Sequence, residues 1–313
     1  MLSPAANPSK AVESRLKALG AMILVFGSIN IDVLVPVPDL PRPGETVLGG
    51  DYRLLPGGKG ANQALAACRA SAAVTLAGAV GNDGFAEAAL ELLKRDGVDL
   101  GLVRRVARPT GCAAIMVGAA GENLIAVASG ANAEVVASAV PDAMLGPGSV
   151  VVCQMEVPVA ETMVLIRRAA ARGTRTILNL APAMPIDAGL LGDLDFLVAN
   201  EAEAATLADD PAHIARRLRQ GLIVTRGAAG STVLLADGGR LDIPALAVMA
   251  VDTTGAGDTF VGVLAAGLDR GLALEAALRH ASAAAGLACL AHGAQTAMPD
   301  SAAIDEAVAR LSD

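Results

Sequence analysis

The sequence predicts an α/β fold in which a mostly parallel central sheet carries helices on both faces and a smaller β-sheet stands apart. Three observations point there. Short apolar runs alternate with stretches of helical periodicity, the rhythm of repeated β-α-β units. The runs themselves are near-continuously apolar, as strands covered on both faces must be. Residues 32–56 and 101–130 break the rhythm with short alternating strands and no helix between them.

Taken in order, residues 1–21 read as an N-terminal extension ending in a short helix; they carry charges but no apolar segment of the secretory type. The main unit spans 22–313. MILVFGS (22–28) reads as a buried strand, and IDVLVPVPDL continues as an extended segment that its prolines confine to an edge or a separate sheet. ANQALAACRAS reads as a helix. VTLAGAV (74–80) is the next strand, and DGFAEAALELLKRDG (83–97) is a helix capped by Asp83 and stopped by Gly97. GCAAIMVGAAGENLIAVA has the pattern of a hairpin turning near Gly121, Glu122 and Asn123. From 149 onward SVVVCQM, TRTILNL, DFLVAN, LIVTRG and STVLLAD read as strands, VAETMVLIRRAAARG and EAEAATLA as helices, and 256–311 as mainly helical.

Composition narrows the function. A net charge of −8 and an aromatic content of 2% leave neither the basic face nor the stacking platforms of a nucleic-acid binder. Gly, Pro or a charge interrupts every apolar run before it reaches membrane-spanning length, so a soluble cytoplasmic protein is expected, with neither nucleic acid nor membrane as partner. Cys68, Cys112, Cys153 and Cys289 form no C-x-x-C pair and read as reduced core thiols.

Ligands of open α/β sheets collect at the carboxyl ends of the strands. The unusual polar residues fall there: Asn30 and Asp32 after the first strand, Glu156 after SVVVCQM, Asn200 after DFLVA, Thr225 after GLIV, and Asp258 after a strand expected around Ala250. In VDTTGAGDTF (251–260), Gly255, Ala256 and Gly257 precede an apolar helix pattern. Bare backbone N–H groups at a helix N-terminus suit an anion. A dinucleotide fingerprint fails because Phe260 occupies the third glycine position, and GGKGAN lacks the Walker A spacing. A carboxylate beside an anion hole fits phosphoryl transfer, where Asp258 aligns and deprotonates the attacking alcohol. The second bare stretch, GGKGANQA (57–64), offers Gly58, Lys59 and Asn62 to a ligand rich in hydroxyls.

DTTGAGD and GGKGANQA resemble the C-terminal and N-terminal signatures of the ribokinase family of sugar kinases. GSINID, PRPGET, GANA, QME, NEAE, TRGAAG and HGAQ are similar, in order, to further segments of that family, from about Met22 to beyond Pro299. The resemblance implies a large α/β domain with a small β-sheet lid, built from about 32–56 and 101–130, and lid-to-lid homodimers. It implies that Asn30, Asp32, Gly58, Lys59, Asn62 and Glu156 bind sugar hydroxyls and that Asp258 faces the accepting one. ATP is implied along Asn200, Thr225, Gly227, Gly230, Gly257 and Ser282, and Mg²⁺ near Asn200 and Glu203. K⁺ is implied at Asp252, Thr254 and the carbonyls near Ala288, Ala291 and Gly293. The activity expected is ATP-dependent phosphorylation of D-ribose at its 5-hydroxyl; a kinase of deoxyribose, a nucleoside or a ketohexose, and a silent sugar-binding regulator, are the alternatives. The chain departs from close relatives at Leu180, where they carry proline, and at Ser282 and Ala297, where larger or more polar residues are common.

Overall fold

Met22–Phe26 (β1) has no exposed side chain and must lie in the interior of a sheet, away from its edges. In the computed structural model, which describes residues 22–207 and 210–311, it does; the expected extension over 1–21 lies outside the described residues. The chain continues through β2 (Asn30–Pro36) and β3 (Arg53–Gly57) to α1 (Lys59–Arg69), then β4 (Val74–Val80), α2 (Gly84–Asp96) and β5 (Asp99–Arg105). A hairpin of β6 (Gly111–Val117) and β7 (Asn123–Ala128) precedes β8 (Ser149–Cys153), α3 (Val159–Ala171), β9 (Arg175–Asn179) and β10 (Phe196–Asn200). After α4 (Glu201–Ala204) and α5 (Pro211–Arg217) come β11 (Gly221–Thr225), β12 (Ser231–Leu235) and β13 (Arg240–Ile243). Four helices close the chain: α6 (Ala256–Asp269), α7 (Leu274–Ala288), α8 (Ala294–Ala297) and α9 (Ser301–Arg310).

Nine strands form the large sheet in the order β13-β12-β11-β10-β9-β8-β1-β4-β5. All its pairings are parallel except those of β12, which runs antiparallel to β11 and β13. Because the chain leaves β1 for β4 on one side and later returns to β8 on the other, the strand order reverses between β1 and β8, and a crevice opens at their carboxyl ends. Alternate side chains of β1 enter two different cores. Ile23 and Val25 pack with α1, α2, α6 and α7, whereas Met22, Leu24 and Phe26 pack on the opposite face with α3. Both faces are covered, as the apolar runs require.

The α2 helix keeps its expected ends: Asp83 accepts from the Ala86 N–H at 3.0 Å, and Gly97 closes it at φ 91°. The small sheet, ordered β3-β2-β6-β7, is the separate one. Two expectations are corrected. Residues 101–105, expected in the small sheet, belong to β5 at the edge of the large one; following α2, they complete a β-α-β unit in parallel register with β4. No strand forms around Ala250. The antiparallel β13 already closes that edge of the sheet, and the chain is tied instead to the end of α7, where the Cys289 carbonyl accepts from the N–H of Val251 at 2.8 Å. Short α5 and β13 were not legible as separate elements. Among the described residues no helix is long and apolar enough to cross a membrane.

With so few aromatic residues, packing depends on close backbone approach. A Cβ on Gly262 would stand 2.4 Å from the Gln63 carbonyl and 2.8 Å from the Ala66 methyl. This glycine lets α6 press against α1, and that approach sets the geometry of the site.

Candidate active site

Asp258 lies in the first turn of α6 and is 7% exposed. The close crossing with α1 puts both its oxygens within reach of amides one turn into that helix. Asn62 Nδ2 donates to Oδ2 and Gln63 Nε2 to Oδ1, each at 2.9 Å. Behind them stand two further buried amides: Gln154 Nε2 donates to Gln63 Oε1 at 2.6 Å, and Gln295 Nε2 to Asn62 Oδ1 at 3.1 Å. Burial pushes the Asp258 carboxyl up; the Lys59 ammonium and the two amide donors oppose this without cancelling it.

The turn before Asp258 borders a cleft. Gly255 has φ 76°, a conformation that favours glycine, and a Cβ there would meet the Ala294 methyl at 2.7 Å. Gly257 is different: its φ is ordinary and a Cβ would meet nothing within 4 Å. Among the described residues the N–H groups of Gly255, Gly257 and Asp258 find no acceptor, while that of Ala256 turns back to the Thr253 carbonyl at 3.3 Å. The free N–H donors of this turn are therefore those of Gly255, Gly257 and Asp258 rather than that of Ala256, which the sequence pattern groups with them.

A cleft of about 210 Å³ opens above this turn. It is lined by Lys59, Asn179, Asn200, Glu203 and Thr225 together with Gly255, Gly257 and Asp258. Asn200 and Glu203 form a reciprocal cap on α4, each backbone N–H bonded to the other's side chain at 2.8 Å. The cap turns the Glu203 carboxylate to the cleft with one oxygen committed. Burial lowers the Lys59 ammonium, but the carboxylates of Asp258, Glu156 and Glu203 outweigh it and hold the group above the usual lysine range.

A second polar group gathers where β1 and β8 end. Glu156 Oε2 accepts from Ser28 Oγ at 2.5 Å and from the Lys59 N–H at 3.0 Å. Asn30 Oδ1 accepts from Asn132 Nδ2 at 2.7 Å, which leaves the Asn30 amide nitrogen as a spare donor. No donor among the described residues reaches the Asp32 carboxylate. Its burial, reinforced by Glu156 and Asp258, lifts the pKa to about 6. Glycine is needed all round: a Cβ on Gly57 would meet the Asp32 carboxyl at 2.5 Å, and one on Gly58, which has φ 89°, the Asn30 nitrogen at 2.7 Å.

Asn30, Asp32, Gly58, Lys59, Asn62, Glu156 and Asp258 thus come together, although they span most of the sequence. Asn200, Glu203, Thr225 and Gly257 share the adjoining cleft. Gly227, Gly230 and Ser282 do not line it. Gly230 and Ser282 face the segment after β13: a Cβ on Gly230 would stand 2.0 Å from the Ile243 carbonyl, and Ser282 Oγ donates to the Pro244 carbonyl at 2.6 Å. Asp252 accepts from the Thr254 N–H at 2.9 Å and hydroxyl at 2.6 Å and from the Gly293 N–H at 2.9 Å. Burial raises this carboxyl, and those donors outweigh it and leave it below the usual range. Leu180, the departure from proline, donates its N–H to the Val198 carbonyl at 2.8 Å, a bond proline cannot make.

Sequence reasoning missed Asn132, Gln63, Gln154, Asn179 and Gln295. Each stands inside or beside a quoted motif, but a buried amide has no spacing signature, and only its partners reveal it.

Comparison with known proteins gives the family and the fold. The model of the pfkB family of carbohydrate kinases matches residues 21–301. The chain is 36% identical to a ribokinase of Lactococcus lactis over 297 residues, covering 93% of this chain and 97% of the relative. Among solved structures it is similar to ribokinase from Thermotoga maritima, with TM-score 0.85 and 29% identity over 92% of this chain and 99% of that one. It is also similar to Arabidopsis thaliana ribokinase complexed with ribose and ATP, with TM-score 0.81 and 29% identity over 92% and 98% of the two chains.

Proposed function

The chain belongs to the pfkB family of carbohydrate kinases, and from that premise we propose that it transfers the γ-phosphoryl group of ATP to the 5-hydroxyl of D-ribose. One observation carries the reading: a buried carboxylate, Asp258, with an amide donor on each oxygen, stands beside free N–H groups at the start of a fourteen-residue helix.

The sugar is held by complementary partners. Asp32, with no donor among the described residues, accepts from sugar hydroxyls, and the Asn30 amide nitrogen and Glu156 supply further contacts. Each hydroxyl donated to Asp32 stabilises its ionised form, so ligand binding relieves an electrostatic cost of the empty protein. Asp258 accepts the hydrogen bond of the attacking 5-hydroxyl, aims its oxygen and takes its proton. Little base strength is required, because phosphoryl transfer passes through a loose transition state. The N–H groups of Gly255, Gly257 and Asp258 and the Lys59 ammonium hold the charge spread over the moving phosphoryl oxygens. Each such donor contributes roughly 3 kcal/mol.

ATP lies along Asn200, Thr225 and Gly257, with Gly227, Gly230 and Ser282 toward its base. The uncommitted oxygen of Glu203, with Asn200, suits a hydrated Mg²⁺, which would neutralise phosphate charge. Asp252, Thr254 and the carbonyls near Ala288, Ala291 and Gly293 make an oxygen-only donor set fitted to K⁺, adjoining the turn that carries the anion hole. The small sheet acts as a lid over the sugar. Leu54, Leu124, Ile125 and Val127 remain exposed on it and support pairing with a second copy. A cytoplasmic location is implied by the use of ATP.

The test is a panel of ribose, deoxyribose, ketohexoses and nucleosides with ATP and Mg²⁺, following ADP release. Ribose should give the highest kcat/KM. Asp258→Asn should keep ribose binding and lose turnover by about 10²-fold to 10⁴-fold; near-normal turnover in that variant would refute the role.

A further inference from the structure

A carboxamide has two nearly isosteric orientations, and its neighbours decide whether N–H or C=O faces a given partner. Asn62 and Gln63 are each caught between Asp258 and a second amide. Gln63 is fully buried, as is Gln154 behind it, and Gln295 is 1% exposed. We propose that Gln154 and Gln295 are positioning residues for phosphoryl transfer: by donating to Gln63 Oε1 and Asn62 Oδ1, they hold both amides with their N–H groups toward Asp258 and keep that carboxylate an acceptor for the substrate hydroxyl. The inference rests on the reading of Asp258 as that acceptor.

The arrangement has directional logic. If Gln63 turned over, its Oε1 would face the Asp258 carboxylate and its Nε2 would face Gln154 Nε2, so both contacts would become repulsive. Asn62 is locked in the same way by Gln295. The outer amides come from elements far from the amides of α1 in sequence but packed against that helix: Gln154 follows β8, and Gln295 lies in α8, where Arg69 Nη1, at the end of α1, pins the Gln295 carbonyl at 2.7 Å. Each outer amide leaves its own Oε1 buried without a partner among the described residues. Leaving a buried acceptor unpaired is unfavourable, and an apolar side chain in either place would avoid it. The donor that each outer glutamine supplies is the feature an apolar residue would lack. With one amide on each oxygen, Asp258 keeps a lone pair for the alcohol and is deterred from carrying a proton itself. The other charged groups facing it are Lys59 from α1, Asp32 from β2 and Glu156 after β8.

The experiment measures kcat and both KM values for ribose and ATP from about pH 5 to 9, on the full chain, for wild type, Gln154→Met, Gln63→Leu and the double variant. A freed Gln63 can turn over, so Gln154→Met should move the acid limb of kcat up by about half to one pH unit, roughly a threefold to tenfold loss on the limb. Ribose KM should stay within about twofold. Because Gln154 acts through Gln63, adding Gln154→Met to Gln63→Leu should bring no further shift. A loss equal at every pH, or additive effects of the two substitutions, would overturn the proposal. Gln295→Met carries the same test through Asn62 should Gln154→Met fail to fold. Retained turnover in Asp258→Asn would instead defeat the acceptor reading itself, a result distinct from an unshifted limb in Gln154→Met.

Discussion

Replacing Asp32 with asparagine should make the unliganded protein more stable while destroying sugar binding. Burial, with Glu156 and Asp258 nearby and no donor among the described residues to support its charge, pushes the Asp32 carboxyl up from 3.8 to about 6. A folded-state pKa above the unfolded one means that the native protein binds the proton more tightly. Stability from this group is therefore fully present below pH 3.8, lost as pH rises through about 6, and absent at neutral pH. A shift of about two units corresponds to about 3 kcal/mol at pH 7.5, and to roughly half that at pH 5, where the native group is already mostly protonated. Residual solvent contact and the amide's own desolvation reduce the gain from Asp32→Asn to roughly 1–3 kcal/mol. For a chain of this size that raises Tm by about 2–5 °C. Calorimetric unfolding of both proteins at pH 7.5 and pH 5, without sugar, measures it, and ribose titration checks the loss of binding. A variant no more stable than wild type at pH 7.5, or a stability gap that does not shrink at pH 5, would refute the account of Asp32 as an unsupported charge awaiting hydroxyls.

Three other perturbations separate packing from chemistry. Gly262→Ala should push α6 away from α1, costing roughly 1–3 kcal/mol and lowering kcat by loosening the amide contacts to Asp258; chemical denaturation with steady-state kinetics reads both. Gly257→Ala adds a methyl that meets nothing within 4 Å among the described residues beyond its own stretch of helix, so stability should change by less than about 0.5 kcal/mol. Its kcat should nevertheless fall by about 10²-fold, because the methyl occupies the approach to the phosphoryl group; unchanged kinetics would remove Gly257 from the anion hole. Replacing Na⁺ with K⁺ at constant ionic strength should raise turnover, and Asp252→Ala should abolish the difference between the two salts.

Much of the chemistry was legible in the chain itself. DTTGAGD announced a bare helix start followed by a carboxylate, and GGKGANQA a donor-rich one. Asp83 and Gly97 marked the ends of α2. Other features were not legible for identifiable reasons. The segment after β13 is apolar enough to pass for a strand, but the sheet edge beside it was already closed. The β5 strand alternates like a member of the small sheet, yet the preceding helix delivers it to the large one. Ala256 reads as part of the anion hole, yet its N–H is turned back to Thr253.

By itself, then, the sequence determined the alternation of strands and helices, the bare turns and the kinds of side chain offered to a ligand. These depend on apolar period, caps and glycine placement, which act between residues close along the chain. Only the tertiary structure decided how those side chains are held: that Asp258 meets Asn62 and Gln63, 196 and 195 residues away, that Gln295 backs Asn62 across 233, and that Asp32 finds no donor among the described residues. Such contacts are set by how closely two helices cross and which strand ends share a crevice, and both depend on the packing of the whole chain.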